Sequence, residues 1–174
     1  MKCYIDSLGL RGGRHLSQKR VSIRHTTRQD FKAIKRLLEI SFADQRQIYR
    51  PSSKAVARTA KRMPRFTYVV AIFRQTIVGT AAYFLTKKKI HISQWATHPQ
   101  WQRRGIATQL VDHLEEIAIQ AKVSLMTLWT VEESGNVPIF ERLGFKSVEK
   151  KVSDIFQSTK GDLIHEVLMV KSIP

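Results

Sequence analysis

Residues 90–97 read as an extended segment, His98-Pro99 closes it, and a strongly amphipathic helix begins after Gln102-Arg103-Arg104-Gly105-Ile106-Ala107. No other stretch constrains the chain as much, because a strand feeding a glycine-containing turn and then a helix makes a phosphate cradle. Unpaired N–H groups of the first helical turn point at a ligand, and the helix dipole favours negative charge there. Gly105 lacks a Cβ, so the backbone can approach a pyrophosphate closely. Arg103 and Arg104 can add charge-assisted contacts worth roughly 1.5–3 kcal/mol each. Within the helix, Ile106, Leu110, Leu114, Ile117 and Ala121 repeat on one face, and Asp112, Glu115 and Glu116 occupy the rest. That stripe is core. The helix N-terminus carries the function, as a site for a phosphorylated cofactor.

The elements around this unit set the fold class. Residues 21–25 alternate as a strand, and Thr26 or Thr27 can cap a helix whose Phe31, Ile34, Leu38 and Phe42 share a face. Residues 43–51 read as a loop, and a very basic helix follows over residues 53–62, ending before Pro64. Residues 66–73 and 76–86 form a hairpin about Arg74-Gln75, and Lys87-Lys88-Lys89 marks a solvated turn. Strand 90–97, helix 105–121 and strand 124–131 make a β-α-β unit. A short helix over 137–143 precedes two antiparallel strands, 145–152 and 163–170. Strands therefore lie on both sides of the β-α-β unit in sequence. This predicts an α+β fold with a mixed, mostly antiparallel central sheet flanked by helices, rather than a doubly wound one.

The 174 residues are long enough for one domain with a sizeable core, and the longest apolar runs are far too short to span a bilayer. A single cysteine, Cys3, excludes an internal disulfide and suggests a reducing compartment, so the expected location is cytoplasmic, without a membrane partner. Residues 1–20 are basic, with Asp6 their only acid. They faintly resemble a transit peptide, but the simpler expectation is an N-terminal extension before a domain over residues 21–174. Within it, Arg11-Gly12-Gly13-Arg14 reads as a flexible turn. The formal net charge is +16, and residues 1–65 hold 17 of the 30 Lys and Arg but 4 of the 14 Asp and Glu. Such a half attracts acidic or phosphate-rich partners. A basic surface that helps recruit an anionic cofactor is the favoured reading, and a nucleic acid partner the less favoured one.

The run Gln102 to Ala107 resembles the signature of the GNAT N-acetyltransferases: Gln or Arg, two variable residues, Gly, one variable residue, then Gly or Ala. Trp95-Ala96-Thr97-His98-Pro99 before it is similar to the family's strand ending at its turn. A second block, Pro138-Ile139-Phe140-Glu141-Arg142-Leu143-Gly144-Phe145, resembles the family's closing helix and the Leu-Gly-Phe that opens its next strand. The likeness covers residues 21–170, with its specific motifs between His91 and Phe145. It implies the acyl-CoA N-acyltransferase fold and an acetyl-CoA-dependent N-acetyltransferase acting on a primary amine in a ternary complex.

Carried over by position, the resemblance places the cosubstrate acetyl-CoA on this chain. The diphosphate would lie on the amides of the Gln102–Ala107 loop, at Arg103, Arg104, Gly105 and Ala107, with Gln102 and Ile106 completing the signature and Thr108 offering a hydroxyl. The pantetheine arm would extend strand 90–97 through backbone contacts at Trp95 and Thr97, much as a peptide adds to a sheet edge. The Trp95 amide would then meet the thioester carbonyl and stabilise its oxyanion. Many members carry a catalytic carboxylate four residues before that amide, where this chain has His91. An imidazole with a reference pKa near 6.5 is a sensible base. Glu132 and Glu133 are alternative bases.

Phe140 departs from the family, since many members carry a tyrosine there to protonate the leaving thiolate. Tyr49 and Tyr83 are the candidate replacements, unless water does it or the thiolate leaves unprotonated. Asn136 either caps the helix after it or bonds the pantetheine arm. No Cys or His cluster has metal-ligand spacing, so no metal is expected. The acceptor is expected to be a small-molecule or peptide amine, with Arg46, Arg50 and the basic helix favouring one that carries carboxylate or phosphate. The acceptor cleft is expected between the 42–51 loop and the opposite strand ends. The rival reading is a non-catalytic CoA-binding or nucleic-acid-associated module that kept the fold, as Phe140 hints. Oligomeric state is open, with a dimer compatible.

Overall fold

The computed structural model describes residues 21–52, 55–57 and 66–174. The basic extension 1–20 lies outside them, as do residues 53–54 and 58–62 of the expected basic helix; residues 55–57 are helical. In chain order the first elements are β1 (Ser22–His25), α1 (Phe31–Ser41), β2 (Tyr49–Pro51), β3 (Thr67–Phe73), β4 (Thr76–Leu85) and β5 (Ile90–Thr97). The remainder are α2 (Ile106–Gln120), β6 (Leu125–Val131), α3 (Val137–Arg142), β7 (Lys146–Val152), β8 (Phe156–Ser158) and β9 (His165–Ser172). Seven strands make one sheet in the order β1-β3-β4-β5-β6-β9-β7. Its β5–β6 pair is parallel and its other pairs are antiparallel, the mixed, mostly antiparallel sheet the sequence predicts.

Both faces of this sheet are covered, which is why β3 and β4 are apolar at successive positions instead of alternating. Val69 and Ala71 pack on one face with Ile106, Leu110 and Leu114 of α2, while Tyr68, Val70 and Ala82 pack on the other with Ile34 of α1. The buried line of α2 runs Ile106, Leu110, Leu114, Ala118, with Val111 beside it. Ile117 is half-buried and Ala121 exposed, so the last turn departs from the expected stripe. In α1 the core residues are Ile34 and Leu37; Phe31 stays 46% exposed, edge-on to Tyr68. Thr27 rather than Thr26 starts this segment, through a capping box with Asp30 around the 3-10 turn Arg28–Asp30. Asp30 is also clamped by Arg24 at 2.7 and 3.0 Å.

The contact that fixes the position of α2 is at Gly79 of β4. A Cβ there would lie 2.7 Å from Ile106 Cγ2 and 3.3 Å from Leu110 Cδ1. The first turn of α2 therefore rests directly on the sheet. At its other end, Lys171 of β9 donates to the Leu143 carbonyl at 2.9 Å and pairs with Glu115 of α2.

The 42–51 segment differs from the expected loop. It contains a 3-10 turn, Gln45–Gln47, and β2, which pairs antiparallel with β8 as a second small sheet. Thr159 locks the pair by donating its hydroxyl to the Gln47 carbonyl at 2.6 Å. Each strand is three residues long, too short to show a period, and the partners are distant in sequence. No helix among the described residues is long and apolar enough to cross a membrane.

Candidate active site

The site begins where two parallel strands part. β5 and β6 pair at Ile90–Met126, His91–Thr127 and Ile92–Leu128, and their pairing stops there. Beyond that point β5 carries a bulge: its register on β4 shifts between Ala82–Ser93 and Thr80–Ala96, and Gln94 has φ 45°. The extra residue bends the strand away from β6. Tyr68 holds the bulge by donating its hydroxyl to Gln94 Oε1 at 2.8 Å.

Past the bulge, the hydrogen-bonding direction of β5 can be read from its neighbours. Gly79 and Thr97 stand opposite each other, and the His98 N–H donates to the Val78 carbonyl at 2.9 Å. Thr97 is thus a non-hydrogen-bonded pair with β4, and its own N–H and C=O turn the other way, toward the gap left by β6. Trp95 lies within the bulge, between the Ser93 and Ala96 pairs, where the ladder on β4 is interrupted. Ser41 of α1 donates its hydroxyl to the Thr97 carbonyl at 3.2 Å.

The cradle adjoins this edge. Gly105 is the N-cap of α2 with φ 76° and ψ 9°, and Arg103 before it has φ 59°. A cap without a side chain leaves the first-turn N–H groups of α2 to a ligand. A Cβ at Gly105 would meet only Gln109 Nε2, at 3.9 Å, so the left-handed backbone rather than crowding demands glycine here. Gln102, Arg103, Arg104, Gly105 and Thr108 are exposed and Ala107 is half-buried. Ile106 contributes its main chain alone, because its side chain is 2% exposed within the core. Arg104 stacks over Trp101 at 5.0 Å, and Trp101 packs on Phe73 at 4.5 Å. Main-chain donors, exposed guanidinium groups and an open strand edge together fit a pantetheine chain ending in a diphosphate.

A cavity of about 640 Å³ runs through the gap. Its lining includes His91, Trp95, Asn136 and Phe140, and also Phe42, Arg46, Tyr49 and Pro51 from the 42–51 segment. The 42–51 segment therefore walls the cavity, whereas Arg50 is exposed and lies outside the lining. His91 Nδ1 is 2.9 Å from Thr127 Oγ1, and its ring leans on Phe84 with centroids 5.1 Å apart. Asn136 stands at the N-cap of α3 without a capping hydrogen bond from its side chain, which sets the capping role aside. Phe140 packs edge-on against Trp95 at 5.6 Å and Phe145 at 6.1 Å, so its ring shapes the cavity wall beside Trp95.

Three alternatives from the sequence move out of the site. Glu132 pairs with Lys150 at 2.5 Å, and Glu133 accepts the His165 N–H at 3.0 Å and bonds its ring at 2.7 Å. Burial raises the Glu133 pKa, but the His165 ring and amide outweigh it and hold the group below its ordinary value. Donor atoms of Glu132, Glu133 and His165 come within 4.8 Å of one another, but Glu133 is committed to His165. Tyr83 bonds His25 Nε2 at 2.9 Å and belongs to the α2-side core, away from the cavity. Tyr49 does line the cavity; burial pushes its pKa up to about 12, and its hydroxyl donates to Gln45 Oε1 at 2.8 Å.

Sequence reasoning missed Glu166. This β9 residue is 5% exposed, lines the cavity, and accepts the Ser153 hydroxyl at 3.1 Å. The signal was present: a lone acid in the run Leu163-Ile164-His165-Glu166-Val167-Leu168-Met169-Val170, which is apolar apart from it and His165. Trp129 and Phe156, which also line the cavity, were not singled out either.

With this geometry in hand, the comparisons with known proteins are specific. The pattern of the Acetyltransferase (GNAT) family matches residues 31–145. The ribosomal-protein-S18-alanine N-acetyltransferase of Escherichia coli is similar in structure at TM-score 0.70 and 17% identity, covering 88% of this chain and 94% of that one. An aminoglycoside 6'-N-acetyltransferase complexed with coenzyme A gives 0.64 and 15%, covering 88% and 97%. A GNAT family acetyltransferase from Elizabethkingia anophelis with acetyl-CoA bound gives 0.66 and 13%, covering 88% and 99%. At these identities the likeness concerns the fold. No curated protein sequence matches the chain.

Proposed function

Because the chain belongs to the acetyltransferase (GNAT) family, we propose that it transfers the acetyl group of acetyl-CoA to a primary amine by direct attack in a ternary complex. Acetyl-CoA is the cosubstrate. The observation that supports acetyl-CoA as the donor is the junction of two main-chain devices, the β5 edge at the gap and the glycine-capped start of α2, and the amine acceptor follows from the family. The amides of Arg103, Arg104, Gly105, Ile106 and Ala107 receive the diphosphate, with Gln102 and Thr108 at its margins. Trp95 and Thr97 hold the pantetheine amides, and Asn136 and Phe140 flank the arm. The catalytic domain is residues 21–174, after the extension 1–20, and its location is the cytoplasm.

In the reaction, the neutral amine nitrogen attacks the thioester carbon, the C–N bond forms, and the C–S bond breaks to release a thiolate. The Trp95 N–H donates to the carbonyl oxygen as negative charge develops there. His91 takes the proton lost by the amine. It lies four residues before Trp95, roughly 13 Å along a strand, so the proton travels through water. Phe140 has no proton to give the thiolate. Tyr49, with its pKa at about 12, would have to give one roughly 3 pK units uphill to a thiolate of ordinary pKa. The thiolate therefore leaves unprotonated and is protonated by the buffered solvent after release, while His91 returns to the solvent the proton that the amine lost.

The acceptor is a small-molecule or peptide amine bearing an acidic or phosphate group, which Arg46 and Lys89 of the cavity lining would attract. The test is an amine panel with acetyl-CoA, following free thiol. Acceptor-dependent thiol release is the expected result; coenzyme A binding without transfer to any amine would remove the reading.

A further inference from the structure

The cavity lining carries a cation and an anion at two different levels of the sheet, and this points to how an acceptor lies in it. Lys89 immediately precedes Ile90, which pairs with Met126, so it stands level with the start of β6. Glu166 pairs with Val131 at the opposite end of β6. Six strand residues separate the two levels, roughly 20 Å. Between them the walls are aromatic: Phe42, Tyr49, Phe84, Trp129 and Phe156 all line the space.

Glu166 is the unusual member. Among the described residues it is the only acid in the lining and has no ion-pair partner, and it is 5% exposed. Ser153 donates to its Oε2 at 3.1 Å, and the same hydroxyl oxygen accepts the N–H groups of Ile155 and Phe156. The carboxylate is thereby tied to the start of β8, the strand that walls the acceptor side together with β2. Lys151 stands opposite Glu166 on β7 but holds its Nζ over the Trp129 ring, 4.6 Å from the centroid, and makes no ion pair with it. A buried carboxylate without a paired cation is costly, and a ligand cation is one resolution. Its position along the sheet suits one. Counting on from the Ile92–Leu128 pair and allowing for the bulge, Trp95 stands across the gap from Thr130 and Val131, and Glu166 is the next strand over.

We propose that Glu166 is the specificity-determining residue of the acceptor pocket, receiving the acceptor's ammonium group, with an apolar or aromatic body lying along the aromatic walls and any acidic group at the Lys89 end. This rests on the acetyl-transfer reading only for the word acceptor. The binding it describes can be measured without turnover. Aromatic walls add to the preference, since ring faces attract cations.

The experiment compares 2-phenylethylamine with 2-phenylethanol, which differ in charge and one heavy atom, by calorimetry at neutral pH in the presence of coenzyme A. For the unaltered protein, the ammonium compound is expected to bind at least ~30-fold more tightly than the alcohol. In Glu166→Gln, which keeps the shape and can still accept from Ser153, that preference should vanish while coenzyme A affinity holds. Equal binding of amine and alcohol by the unaltered protein would overturn the proposal, and this arm needs no variant to fold. A preference that survives Glu166→Gln, or a variant that loses coenzyme A as well, would also overturn it. Selective amine binding with no acetyl transfer to any amine would instead leave Glu166 in place and remove the enzymatic reading.

Discussion

The two sides of the gap between β5 and β6 are built from different materials. On the α2 side, where acetyl-CoA is proposed to bind, the groups on offer are main-chain N–H and C=O at Trp95, Thr97 and the Gly105 turn. On the α1 side the working groups are side chains: His91, Tyr49, Trp129, Phe156 and Glu166. A main-chain site depends on where the backbone goes, so it tolerates Trp95 or Ile106 as side chains and constrains little except glycine. A side-chain site depends on each residue type, and it is where this chain can differ from others with the same fold. Substitutions on the two sides should therefore fail in different ways.

The largest expected effect is on the side-chain half. His91→Ala should lower kcat/KM by roughly 10²–10⁴-fold, while the KM for acetyl-CoA stays where it was. A variant equally active at every pH would end the assignment of His91 as the base. Gly105→Ala addresses the main-chain half. Its backbone sits at φ 76°, which costs an alanine roughly 1–2 kcal/mol. Relaxing that turn re-aims the first amides of α2, so acetyl-CoA affinity should fall about tenfold, with the KM for the amine little changed. A change confined to the amine would reverse the division drawn here.

Gly79→Ala tests how the cradle is held. Its new methyl would have to displace Ile106 Cγ2 from 2.7 Å, a core clash expected to cost about 1–3 kcal/mol by denaturant titration. Acetyl-CoA binding should weaken in parallel, because Ile106 is the first residue of α2. Unchanged stability would mean that α2 is not seated on Gly79.

The smallest effect lies outside both halves and serves as a control. Asp30 is held below the ordinary carboxylate pKa, first by the Arg24 hydrogen bond and then by the Thr27 N–H. A depressed folded pKa adds stability above the unfolded value, near 3.9, and loses it as pH falls through the folded one. Arg24→Gln should therefore melt slightly lower than the parent at pH 7. The difference should persist below pH 4 and close only in stronger acid, with activity unaffected. A difference that closes already between pH 6 and 5 would assign it to some other group.

The same division explains what could be read before any coordinates. Residues 90–131 announced themselves because strand, turn glycine and amphipathic helix each leave a local mark, and the structure reproduces β5 at Ile90–Thr97. The mixed sheet followed from element order. The 42–51 segment did not follow, because β2 has no period of its own and exists only through pairing with β8. Glu132, Glu133 and Tyr83 looked eligible by type and were removed by partners that are remote in sequence, Lys150, His165 and His25. Glu166 was overlooked for the converse reason. Its place on a cavity wall depends on the bulge at Gln94 opening a gap two strands away, which no local pattern records.

The central claim is that backbone groups along β5 and at the start of α2 bind acetyl-CoA. Amide hydrogen exchange with and without coenzyme A tests it residue by residue. The expected result is slowed exchange at Trp95, Thr97 and Arg103 to Thr108 on saturation, with little change in β2 and β8. Saturable binding that leaves those amides exchanging at their former rates would contradict it.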